Sequence, residues 1–245
     1  MCLYCYLVCN YNKCAYLRLF VNREEMLDKI IKVNNKSEKE LTFEIGSNSD
    51  LILENTITGN LEWTICNFIE RTKKGYLTFP TKFDMVDPIL NLKHDKRIII
   101  RMSVNPQKII SEIEIGTSPL KNRIEAINKL GEAGYKIGIL IAPIVLIDNW
   151  KEGYKNLIEY LSENLSDKVK EQVFFEVIFM TYSYIHNAIN TEAFPNKQVL
   201  YDKEKMIARG RGKYAYRKEL KDDAKGFITD LLNKFFEKNE IKYIV

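Results

Sequence analysis

The chain has 245 residues, 46% of them hydrophobic, and this length suits one large α/β domain over residues 1–245 better than two small ones. Its 37 Lys and Arg against 33 Asp and Glu give a formal charge of +4, which is compatible with a nucleic-acid partner without requiring one. The longest apolar run, residues 137–147, is shorter than the roughly 18 residues of a membrane-spanning helix, and no secretory signal is recognisable, so we expect a protein of the reducing cytoplasm.

Short β-rich segments alternate with segments of helical period, which is typical of βα units and a mostly parallel sheet. In chain order, the predicted strands are residues 41–45, 75–79, 97–104, 136–141, 173–179 and 241–245. The predicted helices are residues 23–33, 62–73, 119–133, 150–164 and 222–238. Asn22 is the expected cap of the first helix, and Ser118, Pro119 and Gly134 are the expected boundary residues of the third. This order predicts an α/β barrel or partial barrel, in which chemistry lies on the loops that follow the strands.

Four of the five cysteines are crowded near the start of the chain, at Cys2, Cys5, Cys9 and Cys14. The Cys-x-x-Cys spacing of the first two suits two corners of an iron–sulfur cluster, because thiolates are the preferred ligands there. Four thiolates can equally form a zinc knuckle, and unligated thiols near a chain end are a third interpretation. The spacing alone leaves these three alternatives open.

A second cluster of chemistry-bearing residues lies in residues 203–221. Eight basic residues are interleaved there with two tyrosines and two glycines: Lys203, Lys205, Arg209, Gly210, Arg211, Gly212, Lys213, Tyr214, Tyr216, Arg217, Lys218 and Lys221. Basic side chains neutralise phosphates, and glycines allow a backbone to approach them closely. A solvated basic face is the ordinary interpretation of such a run, and from composition alone it is favoured over DNA binding.

Several segments in order resemble spore photoproduct lyases, a family of radical S-adenosylmethionine (AdoMet) enzymes that repair a UV-linked thymine dimer in DNA. The similarity begins with Cys2-Leu-Tyr-Cys5-Tyr6-Leu7 and Tyr16-Leu-Arg-Leu-Phe-Val-Asn22. It continues with Phe43-Glu44, Ser49-Asp50, Thr81-Lys82-Phe83, Arg101-Met-Ser103-Val-Asn105, Gly116-Thr-Ser-Pro119, Ala133-Gly134-Tyr135, Ala142-Pro143-Ile144, Phe175-Glu176 and Gly212-Lys213-Tyr214. The resemblance implies a partial (β/α) barrel of radical SAM type that lacks the first strand, with a C-terminal basic hairpin and helix.

The resemblance also implies the cofactor ligands. Three cysteines in a Cys-x-x-x-Cys-x-x-Cys pattern bind a 4Fe–4S cluster in this family, and Cys2 and Cys5 match the second and third. The first would stand before Met1, so we expect a chain truncated at its amino terminus. The positions that match the AdoMet pocket are Ser49, Lys82, Ser103 and Ala142, the last through its backbone. Each has an ordinary alternative as a turn residue, a solvated charge, a core hydroxyl or a small packing residue.

For the reaction itself, the resemblance implies that a radical generated from AdoMet abstracts hydrogen from the lesion, after which the bridging C–C bond breaks. Tyr4 and Tyr6 match two tyrosines that relay hydrogen back to the cofactor. Ser47 stands where most members carry a cysteine that donates hydrogen, and an alcohol O–H bond is too strong for that role. Replacement donors are Cys9, Cys14, Cys66 or a thiol in the segment expected upstream of Met1, although Cys66 lies in a predicted amphipathic helix, where a buried core thiol is expected.

The implied partners are double-stranded DNA that contains a thymine dimer and an external one-electron reductant of flavodoxin or ferredoxin type, in the cytoplasm of the spore core. Arg209, Arg211, Lys213 and Tyr214 are the candidate DNA contacts on a hairpin that wedges at the lesion while the damaged dinucleotide is flipped out. The chain reads Ala-Arg-Gly-Arg at 208–211, where the family has Gly-Arg-Tyr-Gly. Three alternatives therefore stay open: a radical SAM paralogue with another substrate, an inactive DNA-binding fragment and a zinc-knuckle protein.

Overall fold

The main sheet has six parallel strands that curl into a half-barrel. The structure is a computed structural model, and it describes residues 2–5, 7 and 21–245. The strands lie in the order β1 (Thr42–Glu44), β2 (Tyr76–Thr81), β3 (Ile98–Val104), β4 (Lys136–Ile144), β5 (Phe174–Phe179) and β9 (Ile241–Ile244). All six predicted strands form, and the predicted α/β partial barrel is confirmed.

Helices connect these strands and pack on the sheet, α2 on β2 and α5 on both β3 and β4. Within the described ranges the helices are α1 (Arg23–Lys36), α2 (Leu51–Thr58), α3 (Asn60–Arg71), α4 (Gln107–Glu112), α5 (Leu120–Glu132), α6 (Trp150–Asn164), α7 (Asp167–Lys170), α8 (Tyr184–Ala193) and α9 (Lys218–Phe235). A short 3-10 helix covers Asp87–Ile89. Among these residues, no helix has the length and apolar character needed to cross a membrane.

Strand β3 shows how the sequence separates the two faces of the sheet. Ile98, Ile100, Met102 and Val104 alternate along it and are fully buried among the core residues. Because successive side chains of a strand point to opposite faces, Ser103 belongs to the other, concave face. The pattern therefore buries an apolar face under the helices and leaves a polar group at the mouth of the half-barrel.

A second, antiparallel sheet follows β5 and contains the basic segment. It has the order β6 (Thr181–Ser183), β8 (Lys213–Tyr216) and β7 (Met206–Gly210), so β7 and β8 form the predicted hairpin. Tyr216 anchors its base, because its buried hydroxyl accepts a hydrogen bond of 2.8 Å from the backbone N–H of Leu146, just after β4.

Two sequence predictions about local structure are wrong. Ser118 does not cap α5, since the helix begins at Leu120 after Pro119 and the Ser118 hydroxyl instead donates to the carboxylate of Asp84. Cys66 is exposed and not a core thiol, because the buried stripe of α3 runs through Leu61, Ile65, Phe68 and Ile69 and Cys66 falls beside it.

Candidate active site

A cavity of about 560 Å³ opens at the carboxyl ends of the parallel strands. Eight of the residues singled out in the sequence line it: Cys2, Tyr4, Cys5, Ser47, Ser49, Lys82, Ser103 and Ala142. They come from five different loops and strand ends, so the fold brings together positions that are up to 140 residues apart in sequence. Tyr6, Cys9 and Cys14 lie outside the described residues.

The cysteine loop is fixed at its centre. Leu3 is buried, its backbone N–H donates to the carbonyl of Ile113 at 2.9 Å, and its own carbonyl accepts from the amide of Asn190 on α8. Cys2 forms an isolated antiparallel bridge with Glu114. These contacts from both sides keep the two thiols at the cavity.

Cys2 and Cys5 are partly buried thiols that form no disulfide, and thiolates are the usual ligands of an iron–sulfur cluster. Burial raises the pKa of the Cys2 thiol, while the nearby positive charge of Lys82 acts in the opposite direction. The residue types and their location fit two thiolate corners of such a cluster. In the part of the chain that the structure describes, no group of three or more His, Cys, Asp or Glu is placed to hold a metal ion.

Lys82, just after β2, is hydrogen-bonded to two of the other predicted cofactor-binding positions. Its ammonium group donates to the hydroxyl of Ser103, to the carbonyl of Ala142 at 3.2 Å and to the carboxylate of Glu114 at 3.0 Å. The Ser103 hydroxyl also donates to the carbonyl of Ala142, at 3.0 Å. Lys82, Ser103 and Ala142 therefore form one polar cluster on the wall of the cavity.

The loop between β1 and α2 supplies Ser47 and Ser49, both exposed at the rim. Asp50 holds this loop in place: its carboxylate caps α2 and also accepts from the backbone N–H of Lys82 at 2.8 Å. Burial raises the pKa of Asp50, although these hydrogen bonds favour its charged form. Asp50 thus ties the loop to the end of β2, and sequence reasoning gave it no such role.

Glu114 is the second residue whose role the sequence did not reveal. Its side chain is fully buried, yet it pairs with Lys82 and, at 2.8 Å, with the equally buried Arg123. Burial alone would favour the neutral acid, but the charges of Lys82 and Arg123 and hydrogen bonds from Tyr4 and Asn105 hold its pKa at about 2. The sequence feature that marks Glu114 is a charged residue between two apolar ones, Ile113 and Ile115, and it was not used to predict a buried role.

The basic hairpin has exposed cations at its tip. Gly210, Arg211 and Gly212 all have positive φ, a conformation that glycine tolerates and that makes the turn tight. The side chains of Arg209, Arg211 and Lys213 are exposed and form no hydrogen bond or ion pair with the described side chains, whereas Tyr214 packs on Tyr201 with ring centroids 4.7 Å apart. The neighbouring strand β6 begins at Thr181, which lines the cavity, so the hairpin stands beside the mouth.

Solved structures place this fold in a known class. A structure titled "Native anSMEcpe with bound AdoMet" aligns over 98% of this chain and 58% of its own, with 13% sequence identity and a TM-score of 0.56, which supports the fold alone. A spore photoproduct lyase complexed with dinucleoside spore photoproduct aligns over 100% of this chain and 73% of its own, with 29% identity and a TM-score of 0.92. The fold is that of a radical SAM partial barrel.

Sequence comparison gives the particular family. The family model "Spore photoproduct lyase" matches residues 1–245. The spore photoproduct lyase of Bacillus subtilis (strain 168) is 34% identical over 99% of this chain and 72% of its own length, and that of Clostridium acetobutylicum is 31% identical over 100% and 73%. The chain belongs to the spore photoproduct lyase family. The predicted family, the lyase reaction and the cofactors typical of the family are thereby confirmed, and a paralogue with another substrate is not favoured.

Proposed function

We propose that this chain reverts the spore photoproduct in DNA to two thymines, with AdoMet bound in the cavity and an iron–sulfur cluster held by Cys2 and Cys5. The observation that carries the proposal is the shared cavity: one space of about 560 Å³ contacts both cysteines and all four residues expected to bind AdoMet. When bound, the cluster and AdoMet supply the one-electron chemistry that removes a hydrogen atom from the lesion. The remaining steps depend on side chains of the chain itself.

The polar cluster on the wall suits the charged end of AdoMet. The Lys82 ammonium group supplies a positive charge for its carboxylate, the carbonyl of Ala142 accepts from its amino group, and the hydroxyls of Ser49 and Ser103 complete the set. Lys82 has three N–H groups, and its three partners occupy them all. Binding therefore exchanges one partner, and the 3.2 Å bond to Ala142 is the longest of those three.

Tyr4 is the described residue that suits hydrogen relay. It lies at the cavity beside Cys5, and its hydroxyl donates to Glu114. Ser47 lies at the rim, where its hydroxyl can orient the lesion. The O–H bond of that hydroxyl is too strong for Ser47 to donate a hydrogen atom. Cys66, exposed on α3 and absent from the cavity lining, does not suit the donor role, so the candidates are Cys9, Cys14 and a thiol upstream of Met1.

The basic hairpin supplies the contact to DNA in this proposal. Arg209, Arg211 and Lys213 would neutralise phosphates, and Tyr214 would support the hairpin beside the cavity, into which the damaged dinucleotide is flipped. The double-stranded DNA partner, a flavodoxin-type or ferredoxin-type reductant and a location in the spore core belong to the same proposal.

Anaerobic reconstitution of the full chain tests the proposal. We expect the wild type to incorporate iron and sulfide, to bind AdoMet in isothermal titration calorimetry and, with AdoMet and a one-electron reductant, to revert dinucleoside spore photoproduct to its two thymidines. Lys82→Ala should weaken AdoMet binding at least about tenfold, because a charge-assisted hydrogen bond is lost. Lys121→Ala is the matched control, since that lysine is exposed on α5 and is not among the residues that line the cavity.

Two results would count against the proposal. One is a folded wild type that binds zinc tightly, takes up no iron and sulfide and gives no heat with AdoMet. The other is equal AdoMet affinity in Lys82→Ala and Lys121→Ala, which would place the cofactor elsewhere.

A further inference from the structure

Glu114 connects two parts of the site that the chain supplies separately. One carboxylate oxygen, Oε1, accepts hydrogen bonds from Tyr4, Lys82 and Asn105, the first two of which line the cavity. The other, Oε2, faces the core and accepts from Arg123 at 2.8 Å. The backbone of Glu114 is also bridged to Cys2. The residue thus contacts the cysteine loop and the wall of the cavity at once.

We propose that Glu114 is a positioning residue that sets the cysteine loop against the Lys82–Ser103–Ala142 wall, so that a cluster on the loop and AdoMet on the wall meet at a fixed separation. This inference rests on the proposed function, and it adds a residue that does not itself touch either cofactor.

The charge balance explains why a carboxylate is needed at this point. The Lys82 side chain is 19% exposed and that of Arg123 is fully buried, so two cations share a space that water hardly reaches. Arg123 is held by the carbonyls of Ser118 and Ser103, both at 2.8 Å, and cannot turn away. Without the negative charge of Glu114 the two cations would repel each other, and removing one member of a buried ion pair is costly.

A purely structural pair would need only the Oε2 contact to Arg123. The three donors on Oε1 come instead from the cysteine loop, from the end of β2 and from the end of β3. Asn105 continues the network, because its carbonyl accepts from the hydroxyl of Tyr154 at 3.1 Å, and that hydroxyl accepts from the backbone N–H of Val145 at 2.7 Å. The carboxylate therefore also reaches the end of β4, just beyond Ala142.

The test compares Glu114→Gln with Glu176→Gln in the full chain. Glu176 is a matched control, because it is also a buried carboxylate in an ion pair, with Arg101 at 3.2 Å, whereas the hydrogen bonds to Tyr4 and Lys82 are made by Glu114. Glu114→Gln removes the carboxylate that pairs with Arg123, and Glu176→Gln removes one of the two carboxylates that pair with Arg101, the other being Glu44 at 2.9 Å, so both variants should lose stability. Only Glu114→Gln should release the loop.

Two readouts follow the loop and the wall separately. Hydrogen exchange of the ligand-free chain should be at least about tenfold faster in Glu114→Gln for a peptide containing residues 2–5, whose Leu3 N–H is bonded to Ile113, while the control changes less than about twofold. Titration calorimetry with AdoMet should show a loss of affinity of about tenfold or more in Glu114→Gln, and little change in the control.

Equal exchange and equal AdoMet affinity in Glu114→Gln and the wild type would overturn the inference, as would the same losses in Glu176→Gln. If Glu114→Gln does not fold, Glu114→Asp replaces it: the charge stays for Arg123, but the shorter side chain cannot also reach Tyr4 and Lys82, so a folded variant with faster loop exchange is expected. A folded Glu114→Asp chain with wild-type exchange in that peptide would overturn the inference. A wild type that fails to bind AdoMet would instead contradict the proposed function.

Discussion

The wall of the cavity and the basic hairpin hold their cations in opposite ways. Lys82 on the wall and the fully buried Arg123 next to it are hydrogen-bonded on several sides, and Glu114 pairs with both. On the hairpin, the side chains of Arg209 and Arg211 are exposed and form no ion pair with the described residues. A buried, paired cation keeps one geometry, whereas an exposed one moves freely and can follow a phosphate backbone. The contrast indicates a rigid pocket beside an adaptable surface.

Replacement of the buried Arg123 should cause the largest loss in the free energy of unfolding. Arg123→Met leaves the Oε2 atom of Glu114 without its partner in a fully buried position, so we expect a loss of about 3–5 kcal/mol in the free energy of unfolding. Urea denaturation followed by circular dichroism measures it. Lys121→Met, on the same helix but exposed, should change stability by less than about 0.5 kcal/mol. Equal losses of stability in the two variants would contradict the distinction between buried, paired cations and exposed ones.

A smaller loss is expected where the rim loop is tied to β2. Asp50→Ala removes the cap of α2 and the acceptor for the Lys82 backbone, which should cost about 1–2 kcal/mol in the same denaturation experiment. The adjacent Ser49 is exposed, so Ser49→Ala should lie within about 0.5 kcal/mol of the wild type. A neutral Asp50→Ala would show that the loop does not depend on this carboxylate.

The hairpin should behave in the reverse manner. The double variant Arg209→Gln with Arg211→Gln should keep the free energy of unfolding within about 0.5 kcal/mol of the wild type. It should also reduce the slope of DNA affinity against salt concentration by the amount expected for about two lost phosphate contacts. Fluorescence anisotropy at several salt concentrations measures the slope.

The matched control for the hairpin is Lys205→Gln with Arg217→Gln, which removes the same charge from its base. Lys205 pairs there with Asp148 and Asp202, and Arg217 donates to the carbonyl of Glu204 at 2.8 Å. This control should lose stability and change the salt slope less. A control with the larger slope change would place DNA at the base of the hairpin.

The smallest effect concerns acid stability near the end of β2. Burial opposes the charge of Asp84, but hydrogen bonds from Ser118 and Asn122 outweigh it and lower its pKa below the usual 3.8. The folded state therefore gains stability above pH 3.8 and loses it as the pH falls through the lowered value. Asn122→Ala should reduce the difference in melting temperature between pH 7 and pH 3. An unchanged difference would show that Asn122 does not stabilise the ionised carboxylate.

Much of the fold follows from local pattern, and the exceptions have physical causes. Helix α6 matches its prediction at both ends, and Gly134 takes the positive φ expected after α5. Cys66 was misplaced because a shift of one position turns a helical side chain by about 100°. Strand β6 was not predicted, because its three residues pair with β8, which lies some thirty positions later in the chain. Helix α8, which follows β6 directly, was not predicted either.

The site divides in the same manner. Resemblance to a family identified Lys82, Ser103 and Ala142, which the fold brings into contact. Glu114 was missed because a single charged residue in an apolar stretch says nothing about partners that come from other loops. Such a network is visible only when the strands are assembled.

A crystal structure of the reconstituted chain with AdoMet, recorded with the anomalous signal of iron, tests the central claim most directly. We expect iron bonded to Cys2 and Cys5 and the AdoMet carboxylate hydrogen-bonded to Lys82 and Ser103. Iron at other residues, or AdoMet outside this cavity, would contradict the assignment of the site.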